Sequence, residues 1–213
     1  MPKRFVIRNA VLALLFVNIA MFILQIVLSG VGFTELLLLR KGDLFTRPWT
    51  LLTSMFLHGG FSHILFNMFV LMMFGPLLEQ RIGTRRFLGL YFGSGLLAAA
   101  VSSFVYESAL GASGAIMGLL GMIIVLMPYL RVLFFFIIPM PMWIAGIVIA
   151  LIDILGVFYP GGIANIAHLV GMATGLVYGL RLKGKRKSYN RRFSRSTQMS
   201  SEDVEDYLRH GRI

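Results

Sequence analysis

Long apolar runs separated by short polar clusters set the rhythm of the chain. Six runs stand out, at roughly 9–29, 62–79, 87–106, 114–127, 132–156 and 164–180. Segments of about 20 apolar residues match the thickness of a bilayer core, so the pattern predicts membrane-spanning helices. The first run follows "MPKRF". It is too long for a signal peptide and lacks a small-residue cleavage site, which predicts a retained helix. The fourth run is too short to cross alone, so its N-terminus is expected within the membrane, fed by the "LGA" loop. Non-helical backbone at that depth is tolerated only where it is buried in protein or lines a watery cavity.

Composition and charge sharpen this picture. Hydrophobic residues make up 57% of the 213 and charged residues 14%, with a mean hydropathy of +0.81. A soluble domain of this length would carry far more charge. The expected fold is all-α: a polytopic membrane bundle of six transmembrane helices. Placing the N-terminus in the cytoplasm leaves only Arg40, Lys41 and Arg47 outside among the 20 Lys and Arg. The positive-inside rule then puts both termini in the cytoplasm. The expected organisation is a bundle over 1–182, with a membrane-associated outer loop at 30–61, and a basic cytoplasmic tail over 183–213.

The net charge of +11 lies mostly in the tail segment "RLKGKRKSYNRRFSR", directly after the last span. Anionic lipid headgroups account for that placement without invoking nucleic acid. The tail from Lys183 on reads as polar and flexible, with a short helix expected in "SSEDVEDYLRH", capped at Ser200. The chain has no cysteine, which excludes disulfides, thiolate metal sites and a cysteine nucleophile. No cofactor is expected, and the oligomeric state is not encoded in any pattern found.

Polar residues inside spans are costly and mark function. Here they are His63, Asn67, Ser113, Asp153, Asn165 and His168, with His58 just above the second span. At about 1.5 Å per residue from the cytoplasmic ends, His63 and Asn67 lie roughly 24 and 18 Å up, Ser113 roughly 22 Å and His168 roughly 20 Å. Four polar side chains from three helices therefore meet at one level.

Packing motifs bring two of those helices together. The fourth span begins Gly114-x-x-x-Gly118 and continues to Gly121; the sixth carries Ala167-x-x-x-Gly171-x-x-x-Gly175. Small residues four apart let helix backbones approach closely. Ser113 directly precedes the first motif and His168 lies inside the second, so close packing would join a hydroxyl to an imidazole. Histidine can take the serine proton as the oxygen attacks a carbonyl. Ser113 also stands at a helix N-terminus, where backbone N–H groups are unpaired. His63 and Asn67 share one face of the second span and can donate toward the same point. The set has the parts of an acyl-transfer apparatus.

These residues resemble the rhomboid intramembrane serine proteases. The resemblance covers roughly 45–180, through "PWTLLTSMFLHGGFSHILFNMFVLMMFGPLLEQRIG", "GASGAIMG" and "ANIAHLVGMATG". It implies a Ser113–His168 dyad with Ser113 as nucleophile and His168 as base. It implies an oxyanion hole from His63, Asn67 and the Ser113 backbone N–H. Gly111 would hold the loop before the serine and Gly171 the close helix contact. Residues 30–61 would be the family's membrane-embedded loop, and the fifth span with "GVFYPGG" the substrate gate. Two positions depart from common members. The loop motif Trp-Arg reads Trp49-Thr50, with Arg47 two residues before the tryptophan, and a tyrosine often found four residues after the serine is Met117. A thioether can still pack against the imidazole.

The expected activity is cleavage of single-span membrane proteins within or near the bilayer, by a multi-pass protein of the cell membrane. The alternative is an inactive relative that binds membrane clients. A metal site built from His58, His63 and His168 is disfavoured, because a five-residue spacing splits the first two across faces and no H-E-x-x-H occurs. An aspartyl protease needs two facing carboxylates, and only Asp153 is available. A channel or transporter gives the serine loop no role. Asp153 is expected as a structural polar contact or cap near the outer end of the fifth span, since the family works without a third member. Asn165 is expected to support the start of the sixth span or the outer loop, His58 to be structural in preference to substrate-binding, and His210 to play no part.

Overall fold

The computed structural model describes residues 9–134, 137–159 and 161–195. Six helices of 14 residues or more carry the architecture: α1 (Asn9–Val27), α2 (Phe61–Ile82), α3 (Thr84–Val105), α4 (Ser113–Leu126), α5 (Met142–Phe158) and α6 (Asn165–Arg195). Three of them, α1, α2 and α3, are long and apolar enough to cross a membrane, and α4 and α5 are shorter apolar helices. The expected tail helix and His210 lie outside the described residues.

α4 is the core helix. Its 14 residues amount to about 21 Å of rise, short of a bilayer core. Nine of them are buried, and α4 makes its most extensive contact with α6, then with α3. Glycine explains that intimacy. A Cβ on Gly171 would collide with the Gly114 carbonyl oxygen, one on Gly175 with the Gly118 carbonyl, and one on Gly121 with the Met172 carbonyl. Backbone therefore lies on backbone along the whole crossing.

The fifth run departs from the expected span of 132–156. Residues Arg131–Phe134 (β3) and Ile138–Pro141 (β4) form an antiparallel hairpin, and α5 begins only at Met142. Pro139 and Pro141 are the cause, because proline lacks an N–H donor and disfavours helix for the residue before it. Pro141 then stands at the N-cap of α5 in an extended conformation. α6 departs in the other direction, running to Arg195 instead of ending near 180, so residues 183–195 are helix and not the flexible chain expected there. Nothing in "RLKGKRKSYNRRFSR" stops it: the stretch has no proline and is rich in good helix formers.

The connection from α1 to α2 is a chain of short turns, Phe33–Leu37, Asp43–Thr46, Thr50–Thr53 and a 3-10 turn at Ser54–Phe56. It also contributes Leu39–Arg40 (β1), which pairs with Ser108–Ala109 (β2) just before α4.

Candidate active site

The backbone entering α4 is pinned from several sides. Leu39 pairs with Ala109 and Arg40 with Ser108. The Lys41 N–H donates to Glu107 O at 3.3 Å, and the Gly111 N–H donates to Ser54 O at 2.9 Å. Gly111 is required twice over. Its φ of +125° is a conformation that residues with a Cβ rarely adopt, and a Cβ there would come within 2.9 Å of the His63 ring. α4 then starts at Ser113 with Ala112 in the N-cap position and no side-chain cap. The Ile116 N–H reaches Ala112 O at 3.0 Å, so the N–H groups of Ser113, Gly114 and Ala115 have no acceptor inside the helix.

Position on the helix also decides where the hydroxyl goes. Ser94, Ser102 and Thr174 each donate to the carbonyl four residues back in their own helix, at 2.7, 2.8 and 2.8 Å. Ser113 is the first residue of α4 and has no helical turn behind it. Its Oγ instead lies 2.8 Å from His168 Nε2. His168 is held early in α6, where its N–H bonds Ala164 O at 3.2 Å and the Ile166 N–H donates to the Tyr106 hydroxyl at 2.9 Å. The glycine seam fixes the spacing of the two helices, and so the reach of Oγ to the imidazole.

His63 and Asn67 approach from α2. The Gly59 N–H donates to His63 Nδ1 at 3.2 Å. A neutral imidazole accepting at Nδ1 carries its proton on Nε2, and that nitrogen faces Gly111, beside the Ser113 hydroxyl. Asn67 is buried and donates through Nδ2 to His63 O at 3.0 Å. His63, Asn67, Ser113, Met117 and His168 line one cavity of ≈ 980 Å³. Gly114 and Gly171 lie behind it in the helix seam, as does Gly175 one turn further along.

Asp153 is not a cap of α5, whose C-cap is Tyr159. It is 4% exposed, and its Oδ1 lies 2.9 Å from His168 Nδ1. Hydroxyl, imidazole and carboxylate thus stand in line. A polar contact is one of the two roles expected for this carboxylate; its partner is not legible in the sequence, because register between α5 and α6 depends on packing that a single run does not reveal. Asn165 does support the start of α6, donating to Ile163 O at 3.3 Å.

The loop departure at Thr50 has a structural answer. Arg47 forks onto Asp43 at 3.0 and 2.7 Å, and the Arg40 N–H and Thr50 hydroxyl donate to the same carboxylate at 2.7 and 3.3 Å. Burial alone would raise the Asp43 carboxyl, but these donors outweigh it and hold it below the usual range. His58 is 2% exposed and lies edge-on to both Phe22 and His63. Its backbone is fixed by Gln25, which accepts from the His58 N–H at 2.9 Å. Burial first, and the neighbouring His63 second, push the imidazole down to about 4 from its ordinary 6.5. It is a neutral packing residue.

Comparison with known proteins places these features in context. A family model, Rhomboid domain, matches residues 46–185. Rhomboid protein 1, mitochondrial, of Saccharomyces cerevisiae is 31% identical over 182 residues, covering 81% of this chain and 53% of the relative. Rhomboid protease GluP of Bacillus subtilis is 45% identical over 76 residues, 34% of this chain and 15% of the relative. Rhomboid-like protease 1 of Toxoplasma gondii is 42% identical over 76 residues, 34% of this chain and 26% of the relative. The chain spans about half or less of the length of these relatives.

Proposed function

The chain belongs to the rhomboid family and is an integral membrane protein, and from that premise we propose that it is an intramembrane serine endopeptidase. Relatives named as proteases support the class of reaction. The observation that carries the finer assignment is the 2.8 Å contact between Ser113 Oγ and His168 Nε2 beside a cavity.

In this reading His168 Nε2 takes the Ser113 proton as Oγ bonds to the carbonyl carbon of the scissile peptide. The carbonyl electron pair moves onto oxygen, where the Ser113 N–H, His63 Nε2 and Asn67 stabilise it. The C–N bond then breaks as Nε2 returns the proton to the departing amine. Water repeats the sequence and frees the acyl chain. Asn67 must turn from its own helix carbonyl to contribute, an adjustment common between a resting site and a loaded one.

The substrates are single-span membrane proteins, which reach the cavity through the bilayer. Six spans with both termini in the cytoplasm fit the charge distribution, and the tail from 183 is assigned to anionic headgroups of the cell membrane. The test is cleavage of a model transmembrane substrate by purified protein in liposomes. Ser113→Ala should abolish cleavage while retaining the wild-type melting temperature; undiminished cleavage by that variant refutes the assignment.

A further inference from the structure

Asp153 carries an inference that deepens the proteolytic reading and rests on it. α5 reads MWIAGIVIALIDILGVF, an apolar helix with one carboxylate near its end. A desolvated carboxylate is costly unless it is paired. Oδ1 meets His168 Nδ1, and Oδ2 has no hydrogen-bond partner among the described residues.

The contact is built into the docking of two helices. Asp153 and Gly156 are three apart on α5; Asn165 and His168 are three apart on α6, so each pair shares one face. The helices match them in antiparallel order. The Asn165 amide fills the notch at Gly156, where a Cβ would collide with it, and this sets His168 opposite Asp153. A second residue pair therefore fixes the register of the first.

The chemistry gives the contact a purpose. A neutral imidazole has one N–H, and it can act as base toward Ser113 only if Nε2 is unprotonated, so the proton must sit on Nδ1. A carboxylate on the Nδ1 side selects that tautomer and fixes the ring plane, and it pairs the imidazolium once Nε2 has taken the serine proton. We propose that Asp153 is a positioning residue of this centre, its carboxylate accepting the Nδ1–H of His168 so that Nε2 faces Ser113 as a base. The transferred proton moves between Oγ, Nε2 and the leaving amine, while Nδ1 keeps its own.

The experiment compares wild type, Asp153→Asn and Asp153→Ala as full chains in liposomes, with kcat and KM on a model transmembrane substrate, melting temperature, and ¹⁵N spectra of His168. Asp153→Asn is expected to lower kcat, by up to the order of 10⁴ that loss of the carboxylate costs soluble serine enzymes, with KM little changed. The ¹⁵N shifts should show an Nδ1–H imidazole in wild type that is lost in both variants. A contact that serves only packing would lower the melting temperature and leave kcat per folded molecule unchanged. Wild-type kcat in folded Asp153→Asn overturns the proposal, and that near-isosteric variant decides the matter if the alanine protein does not fold. If wild type neither cleaves nor labels at Ser113, the proteolytic reading fails, and the spectra alone judge Asp153: an Nδ1–H tautomer lost in the variant supports positioning, and identical spectra refute it.

Discussion

Where α4 crosses α6, glycine carbonyls occupy the places that side chains would fill, while between residues 28 and 60 carboxylate, guanidinium and amide groups do the holding. The seam brings Gly114, Gly118 and Gly121 against Gly171, Gly175 and Met172, backbone on backbone. The connection turns on Asp43, which accepts from Arg47, Thr50 and the Arg40 N–H, and on Gln25, which brackets the His58 backbone. Both regions border the Ser113 loop, one from beneath through α4 and the other through the β1–β2 pair and Ser54. In the seam, Gly114, Gly118, Gly121, Gly171, Met172 and Gly175 offer no group to titrate and the glycines no slack for a methyl, whereas the connection depends on charge. The first sets a distance between helices, and the second holds a loop in place.

Adding one carbon to the seam should have the largest effect. Gly171→Ala puts its Cβ into the Gly114 carbonyl, backbone that cannot turn aside. The expected loss is about 3 kcal/mol or more, a fall of roughly 10 °C in melting temperature for a chain of this size. Gly89→Ala on α3, where a Cβ meets nothing within 4 Å, is the control and should melt at or slightly above wild type. Thermal scans of both in one detergent check the pair; equal melting temperatures would mean the seam is not a backbone contact.

Acid should separate the regions more gently. The folded His58 titrates near 4 and the unfolded one near 6.5, so the unfolded chain binds the extra proton between them. Stability is full above 6.5 and falls as the pH drops toward 4, by at most about 3 kcal/mol. Hydrogen-exchange protection, corrected for intrinsic rate, should decline over that range in residues 43–60 before it declines in 114–121. His58→Phe should remove the decline. A uniform loss across both regions would deny that the connection answers to pH on its own.

The two regions were unequally legible in the sequence. The seam announces itself because Gly114-x-x-x-Gly118 and Gly171-x-x-x-Gly175 repeat at helical spacing, and Ser113 and His168 sit beside those repeats at fixed offsets. The connection does not, because Gln25 reaches His58 across 33 residues of chain and no period links them. The start of α5 was hidden differently: Val132 to Ile138 are apolar enough to extend a span, and only Pro139 and Pro141 mark the hairpin. The register that sets Asp153 against His168 follows from the Gly156 notch, visible only once α5 and α6 are docked.

Mass spectrometry of the membrane-embedded protein after exposure to a fluorophosphonate probe tests the central claim most directly. The account predicts one adduct, on the Ser113 hydroxyl, absent from Ser113→Ala and strongly slowed in His168→Ala, because His168 Nε2 lies 2.8 Å from that oxygen. Labelling of Ser113 at an undiminished rate without His168, or no adduct there at all, would contradict it.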